Sequence, residues 1–263
     1  MNVVFLTGDH PRHAQLAQSV AASGHLAGLV IETREAFVPS APERLAPETR
    51  ALFDLHFARR HASESRHFGA SLPDVPRLDV SIDTLNAPAT ADFINSLRPD
   101  LILSYGVHKL TPETLGRIAC ARKWNIHGGL SPWYRGVTTH FWPSYMLEPQ
   151  MTGMTVHQLT QDIDGGDVIH QTQATLVRGD GLHDLACRAV QSLCDDLPEL
   201  LDLAGRGADS PARRQGTTGR IWRSVDWQPA HLHLIYETHG DRIVDAYLDG
   251  RFAVRDPVLV RQF

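Results

Sequence analysis

The chain has 263 residues, is 42% apolar, and carries a formal net charge of -5 at pH 7. That length suits one large domain, or one domain with a small appendage, and supplies enough apolar content for a sizeable core. The mixed, mildly acidic balance argues against a protein that grips nucleic-acid phosphates, and no apolar run reaches the roughly twenty residues that a membrane span needs.

The start, "MNVVFLTGDH", lacks the basic and cleavable apolar stretches of a secretory leader. "NVVFL" reads as a buried strand opening into a loop at Thr7-Gly8-Asp9. "HAQLAQSVAAS" puts Leu16, Ala17 and Val20 at helical spacing, Gly24 closes that helix, and "LAGLVIE" is the next strand. Strand, helix, strand with short joints predicts a parallel sheet. Residues 34–76 are polar, rich in Arg and His, and broken by Pro39, Pro42 and Pro47. They read as an insertion of a helix or two, either solvated on the surface or placed at the rim of a site.

"RLDVSI" is then a strand, "ATADFINSL" a helix and "PDLILSYG" a buried strand. "TPETLGRIA" carries a helix start, with Thr111 as cap, Pro112 in the first turn and Glu113 behind it. "WNIHG" is a short strand that runs into glycines, and "GMTVHQLT" with "DVIHQTQATL" reads as a β-hairpin. Leu182, Leu185, Ala189, Leu193, Leu197 and Leu200 form one stripe of a long amphipathic helix. A polar linker over 206–218 precedes a small appendage, 219–263, expected to hold a short helix from Gln228 and a strand pair turning at Asp249-Gly250. Trp222 and Trp227 are expected to pin it to the main domain.

Three cysteines, Cys120, Cys187 and Cys194, make neither a disulfide framework nor a metal spacing, which suits a reducing cytoplasm. Fifteen histidines invite a metal reading, but none of His10, His13, His56, His61 and His67 has the flanking ligands of a zinc pattern, so no metal is expected. For His157 the expectation is a structural hydrogen bond near the site. For Trp133, Phe141 and Trp142 it is core packing over ligand stacking.

The chemistry gathers around "KWNIHGGLSPWYRG". On an extended strand Asn125 and His127 share a face, with Ile126 turned to the core behind them. Asp162 and Asp164 precede a Gly-Gly turn in "QDIDGGDV". An amide, an imidazole and a carboxylate without a Ser or Cys nucleophile suit direct acyl transfer to an amine: Asn125 and a protonated His127 donate to the oxyanion and Asp164 manages the proton. Spacing alone leaves that reading beside an ordinary ligand site.

"PDLILSYGVHKL", "WNIHGGLSPWYRG" and "GMTVHQLTQDIDGGDVIHQ" together resemble the folate-dependent formyltransferase family, which includes glycinamide ribonucleotide, methionyl-tRNA and sugar N-formyltransferases. The resemblance covers 1–205 and is strongest over 99–173. It implies a Rossmann-like doubly wound α/β domain with a mainly parallel sheet, a site at the carboxyl ends of its strands, and 10-formyltetrahydrofolate as formyl donor. Carried over residue by residue, Asn125, His127 and Asp164 match the catalytic trio. Val107, Leu110 and Asp162 fall in the folate segments, and Gly128, Gly129, Tyr134, Arg135 and Gly136 in the loop on the substrate side, with Arg135 holding that loop. His108 lies in the folate segment as a pocket or solvent residue.

The chain departs from many relatives at Gly128-Gly129, where they have Pro-Ser, and its first loop lacks a glycine-rich phosphate cradle. The short, weakly basic appendage argues against tRNA. The resemblance therefore implies a small-molecule amine acceptor, an amino-sugar nucleotide or a natural-product amine. A methionyl-tRNA formyltransferase-like enzyme, a 10-formyltetrahydrofolate hydrolase and a non-catalytic folate-binding protein remain as alternatives. A homodimer built through the insertion or appendage stays open.

Overall fold

The computed structural model describes residues 1–33, 38–69, 71–217, 219–253 and 255–263. β1 (Val3–Thr7) is buried along its whole length, and its side chains divide between two cores. Val3 and Phe5 join one cluster while Val4 and Leu6 join another. That period of two is what a strand covered on both faces requires. β4 (Leu101–Tyr105) does the same, with Leu101, Leu103 and Tyr105 on the first face and Ile102 on the second.

The first face is covered by α1 (Pro11–Ala22) and α6 (Leu182–Gly205). The expected α6 stripe from Leu182 to Leu200 is buried throughout. Pro198 sits inside this helix and removes the N–H that would meet the Cys194 carbonyl. The Ser19 hydroxyl of α1 donates to that carbonyl instead, at 2.6 Å, and so ties the two helices together. The second face is covered by α3 (Pro88–Ser96) and the segment around α4 (Pro112–Arg117). Thr111 caps α4 as expected, accepting from the Thr114 N–H at 3.2 Å. All three cysteines are buried and form no disulfide. Among the described residues no helix is long and apolar enough to cross a membrane.

With β2 (Leu26–Glu32), β3 (Arg77–Val80), β5 (Arg122–His127), β7 (Gly153–Gln158) and β8 (Val168–Gln173), the seven-stranded sheet has the order β3-β2-β1-β4-β5-β7-β8. β1 to β5 are parallel, and β7 and β8 form the expected antiparallel hairpin at one end. The chain winds outward from β1 through β2 to β3, then returns to lay β4 on the other side of β1. The carboxyl ends of β1 and β4 therefore diverge around a crevice, the usual ligand position in a sheet wound in both directions.

A third cluster holds α2 (Pro47–His67), α5 (Trp142–Tyr145) and the C-terminal segment. β9 (Arg220–Trp222) pairs in parallel with β6 (Tyr134–Gly136), and Trp222 stacks on Trp142 with centroids 3.9 Å apart. Trp227 packs against Phe53, Phe57 and Phe141. The segment from Asp245 differs from the strand pair expected for it. Ile243–Leu248 is a helix, α7, and Gly250 at φ +74° closes it with a bond from its N–H to the Tyr247 carbonyl. An Asp-Gly pair serves a helix end as well as a hairpin turn, because both need a residue at positive φ. Val254 lies outside the described residues, as does the 34–37 part of the expected insertion.

Candidate active site

A cavity of about 650 Å³ opens at the carboxyl ends of β1, β4 and β5. Asn125, His127 and Asp164 all lie on its wall. β5 sends Trp124 and Ile126 into the first core, so strand alternation turns Asn125 and His127 the other way.

The Asn125 amide has its orientation fixed by its neighbours. Ser104, its partner across β4 and β5, donates a hydroxyl to Oδ1 at 2.8 Å. The opposite strand register places His157 beside Asn125, with Nδ2 3.1 Å from the imidazole Nε2. His157 Nδ1 lies 2.8 Å from the Gln158 carbonyl, so Nδ1 carries the proton and Nε2 accepts from the amide. The second Nδ2 hydrogen is then the one directed at the cavity.

His127 is 5% exposed and lies between two acceptors. Nε2 is 2.7 Å from the Tyr134 carbonyl, and Nδ1 is 3.3 Å from Asp164 Oδ2. Burial holds the imidazole below its ordinary pKa, with Asp164 and the Tyr134 carbonyl pulling the other way. For Asp164, burial alone would raise the pKa. The charge of His127 and the hydrogen bond from the Gly136 N–H, at 2.8 Å, outweigh burial and keep the carboxylate ionised. The pair therefore stands ready to take up one proton.

Asp164 occupies the left-handed region at φ +45°. Aspartate tolerates this better than most side chains. Its turn is held from below by Arg135, 8% exposed, whose Nε donates to the Ile163 carbonyl at 3.0 Å and whose Nη2 reaches the same oxygen. Arg135 thus grips the loop that carries Asp164, and neither it nor Tyr134 lines the cavity. The Tyr134 ring sits in the third cluster with its hydroxyl on Glu148, 2.6 Å away, while its carbonyl serves His127.

The other positions separate. Gly128 and Gly136 are on the wall, and Gly128 faces the His140 ring. Gly129 lies under His127 instead of on the wall. Val107 lines the cavity, Leu110 is buried in the second core below it, and Asp162 faces solvent. His108 is tied to the fully buried Glu32, its N–H donating to Oε2 at 2.8 Å and its Nδ1 lying 2.7 Å from Oε1.

Sequence reading placed His157 near the site but not in contact with Asn125 and Asp164; the hairpin register was the signal that could have joined them. It also left open the role of α2, which lines the cavity with His56, Arg60 and Glu64. His10, Arg12 and His13 of the first loop and α1 complete that side. Trp142 is core, as expected, while Phe141 belongs both to the third cluster and to the cavity wall.

The formyl transferase family model matches residues 3–197. The fold is similar to that of phosphoribosylglycinamide formyltransferase from Anaplasma phagocytophilum, with a TM-score of 0.56 and 17% identity over 85% of this chain and 98% of that one. A sugar N-formyltransferase from a Shewanella species gives 0.55 and 16%, covering 86% and 78%. An N-formyltransferase from Helicobacter canadensis, crystallised with folinic acid and dTDP-3-aminofucose, gives 0.55 and 12%, covering 87% and 73%. At these identities the structures establish a common fold.

Proposed function

The chain belongs to the formyl transferase family, and from that premise we propose that it moves a formyl group from 10-formyltetrahydrofolate to the amine of a small molecule, with Asn125, His127 and Asp164 as the reacting set. The observation that carries this reading is the meeting, on one cavity wall, of an oriented amide, a buried imidazole and an ionised carboxylate. Cys187, the thiol on the same cavity, is pushed up to about 12 by burial and makes a poor nucleophile, which favours direct attack by the amine.

The donor supplies an activated formyl carbon and, on departure, a nitrogen that takes back a proton. Gly106, at φ +68°, turns the chain after β4 so that Val107 joins the wall beside Asn125 and Asp164. That apolar lip suits the ring system of a folate, and the folinic acid held by the Helicobacter canadensis protein supports the same donor class. Asn125 Nδ2 donates to the formyl oxygen as it becomes an oxyanion. The His127–Asp164 pair takes the proton that the attacking amine gives up, and the resulting imidazolium offsets the oxyanion charge. Collapse breaks the bond from the formyl carbon to the folate nitrogen and returns the proton there, leaving a formamide and tetrahydrofolate.

The test is a panel of amines, nucleotide-linked amino sugars and hydroxylated natural-product amines among them, incubated with 10-formyltetrahydrofolate and read by mass for formyl gain. Formyl gain that disappears in Asp164→Ala supports the assignment; near-full turnover in that variant, or in His127→Ala, overturns it. Formate release at full rate without any amine would make the enzyme a hydrolase.

A further inference from the structure

The C-terminal segment reaches the cavity wall with Ser224 and Trp227. There the Trp227 ring meets Phe57 of α2 and Phe141, with centroids 6.5 Å and 6.1 Å away and planes inclined at 69° and 77°. His56 joins them, 5.0 Å from Phe57, 6.1 Å from Phe141 and 6.0 Å from Trp227. Three separate stretches of chain thus build one continuous shelf of rings. Phe57 and Trp227 line the cavity yet are only half-buried, so a ligand gains by covering them.

One polar atom of the shelf has no use in the empty protein. Trp227 Nε1 is buried without a hydrogen-bond partner among the described residues. An indole N–H can only donate, and a buried one is unfavourable until an acceptor meets it. His56 adds no charge, because burial lowers it to about 3. Four uncharged rings with one spare donor suit a flat, neutral group that carries an oxygen. An anion would lose its hydration there and find no cation among these four side chains.

The shelf adjoins the reacting set through the chain. Phe141 follows His140, whose ring faces Gly128 beside His127. Gly136, whose N–H holds Asp164, pairs with Trp222 across β6 and β9, just ahead of Trp227. None of these stretches contributes to the Val107 lip assigned to the donor, so the shelf falls to the acceptor. We propose that Phe57, Phe141 and Trp227 hold the part of the acceptor that does not react, and that this part is a flat, uncharged ring bearing an oxygen that accepts from the Trp227 indole N–H. The acceptor is then an arylalkylamine, its amine a few bonds from the ring. The inference deepens the formyl-transfer reading and rests on it only for what happens at the amine.

Ligand-observed NMR titration, with folinic acid saturating the donor half, reads binding apart from turnover. The probes are benzylamine and phenethylamine, their cyclohexyl twins, and their ortho-, meta- and para-methoxy derivatives. In at least one series the aryl amine should bind the wild type roughly threefold or more tightly than its cyclohexyl twin. One methoxy isomer of that series should bind roughly fivefold more tightly again. Trp227→Phe keeps a ring and removes the N–H, so it should erase the methoxy advantage and leave the aryl preference. Phe57→Leu should shrink the aryl preference and leave the methoxy advantage; a merely loosened fold would weaken both together.

No aryl preference in either series, no isomer with a methoxy advantage, or an advantage that survives Trp227→Phe overturns the proposal. So does aryl-amine binding that appears only without folinic acid, which would give the shelf to the donor. If the binding pattern holds while the preferred methoxy amine gains no formyl group with 10-formyltetrahydrofolate, and the wider amine panel gains none either, formyl transfer is the reading that fails.

Discussion

A Cβ on Gly129 would stand 2.7 Å from His127 Nε2 and 2.6 Å from the Tyr134 carbonyl oxygen, the two ends of the hydrogen bond that holds the imidazole. Gly129→Ala would push a methyl group into that bond. It should lower kcat by roughly a hundredfold, the scale expected when a reacting group is misplaced by about an ångström, with little change in either KM. Gly128→Ala meets the His140 ring first, at 3.3 Å. It should leave kcat within a few-fold and act on the acceptor KM. Steady-state kinetics of the two alanine variants decide the matter; equal effects on kcat would mean that Gly129 does not support His127.

Asp164 depends on a grip that lies outside the cavity. Asp164→Asn keeps the shape but removes the charge that His127 faces at 3.3 Å, and should cost on the order of a hundred- to a thousandfold in kcat. Arg135→Ala should cost roughly tenfold, because the Ile163 carbonyl loses its guanidinium and the φ +45° turn at Asp164 loosens. Arg135→Lys should recover little, since an ammonium cannot reproduce the paired contact. Full activity in Arg135→Ala would remove Arg135 from the positioning of Asp164.

His157 offers an acceptor to Asn125, and the Ser104 hydroxyl holds the other end of the amide. His157→Phe fills the buried space without that acceptor, so kcat should fall roughly tenfold while the donor KM stays level. His157→Gln, which can present a carbonyl oxygen, should recover part of the loss. Equal losses in the two variants would indicate packing alone.

Much of the sheet could be read from the chain because buried strands and the α6 stripe are written in apolar residues. Val3 to Leu6, Leu101 to Leu103 and Leu182 to Leu200 carry their own periodicity, and alternation along β5 is enough to put Asn125 and His127 on one face. α2 was harder to read because its buried face holds His56, Ser63 and Glu64 along with Phe53. Polar side chains buried inside a fold leave no apolar stripe. Gly128 and Gly129 look alike in sequence, yet one borders the cavity and the other makes room for His127. Only the three-dimensional approach of Tyr134 tells them apart.

The same polar interior gives a pH signature. His56 and His183 are 5% and 8% exposed, and their rings meet at 3.2 Å between His56 Nδ1 and His183 Nε2. Burial lowers both, His56 to about 3, and Arg60 adds to the effect. From about pH 8 upward neither the folded nor the unfolded chain protonates them appreciably, so they leave stability unchanged. As pH falls through the unfolded value, the unfolded chain binds protons that the folded chain refuses, and stability drops until the folded pKa is reached. Each imidazole contributes up to about 1.4 kcal/mol per pH unit, so the two together remove about 3 kcal/mol per unit. Urea midpoints should therefore fall steadily between pH 6 and pH 4, with an onset at the ordinary histidine value and not at the carboxylate range. His183→Gln, which keeps a donor for His56 but does not titrate, should cut that slope appreciably. A midpoint that stays flat down to pH 5, or a slope unchanged in His183→Gln, would show that these imidazoles are protonated inside the fold.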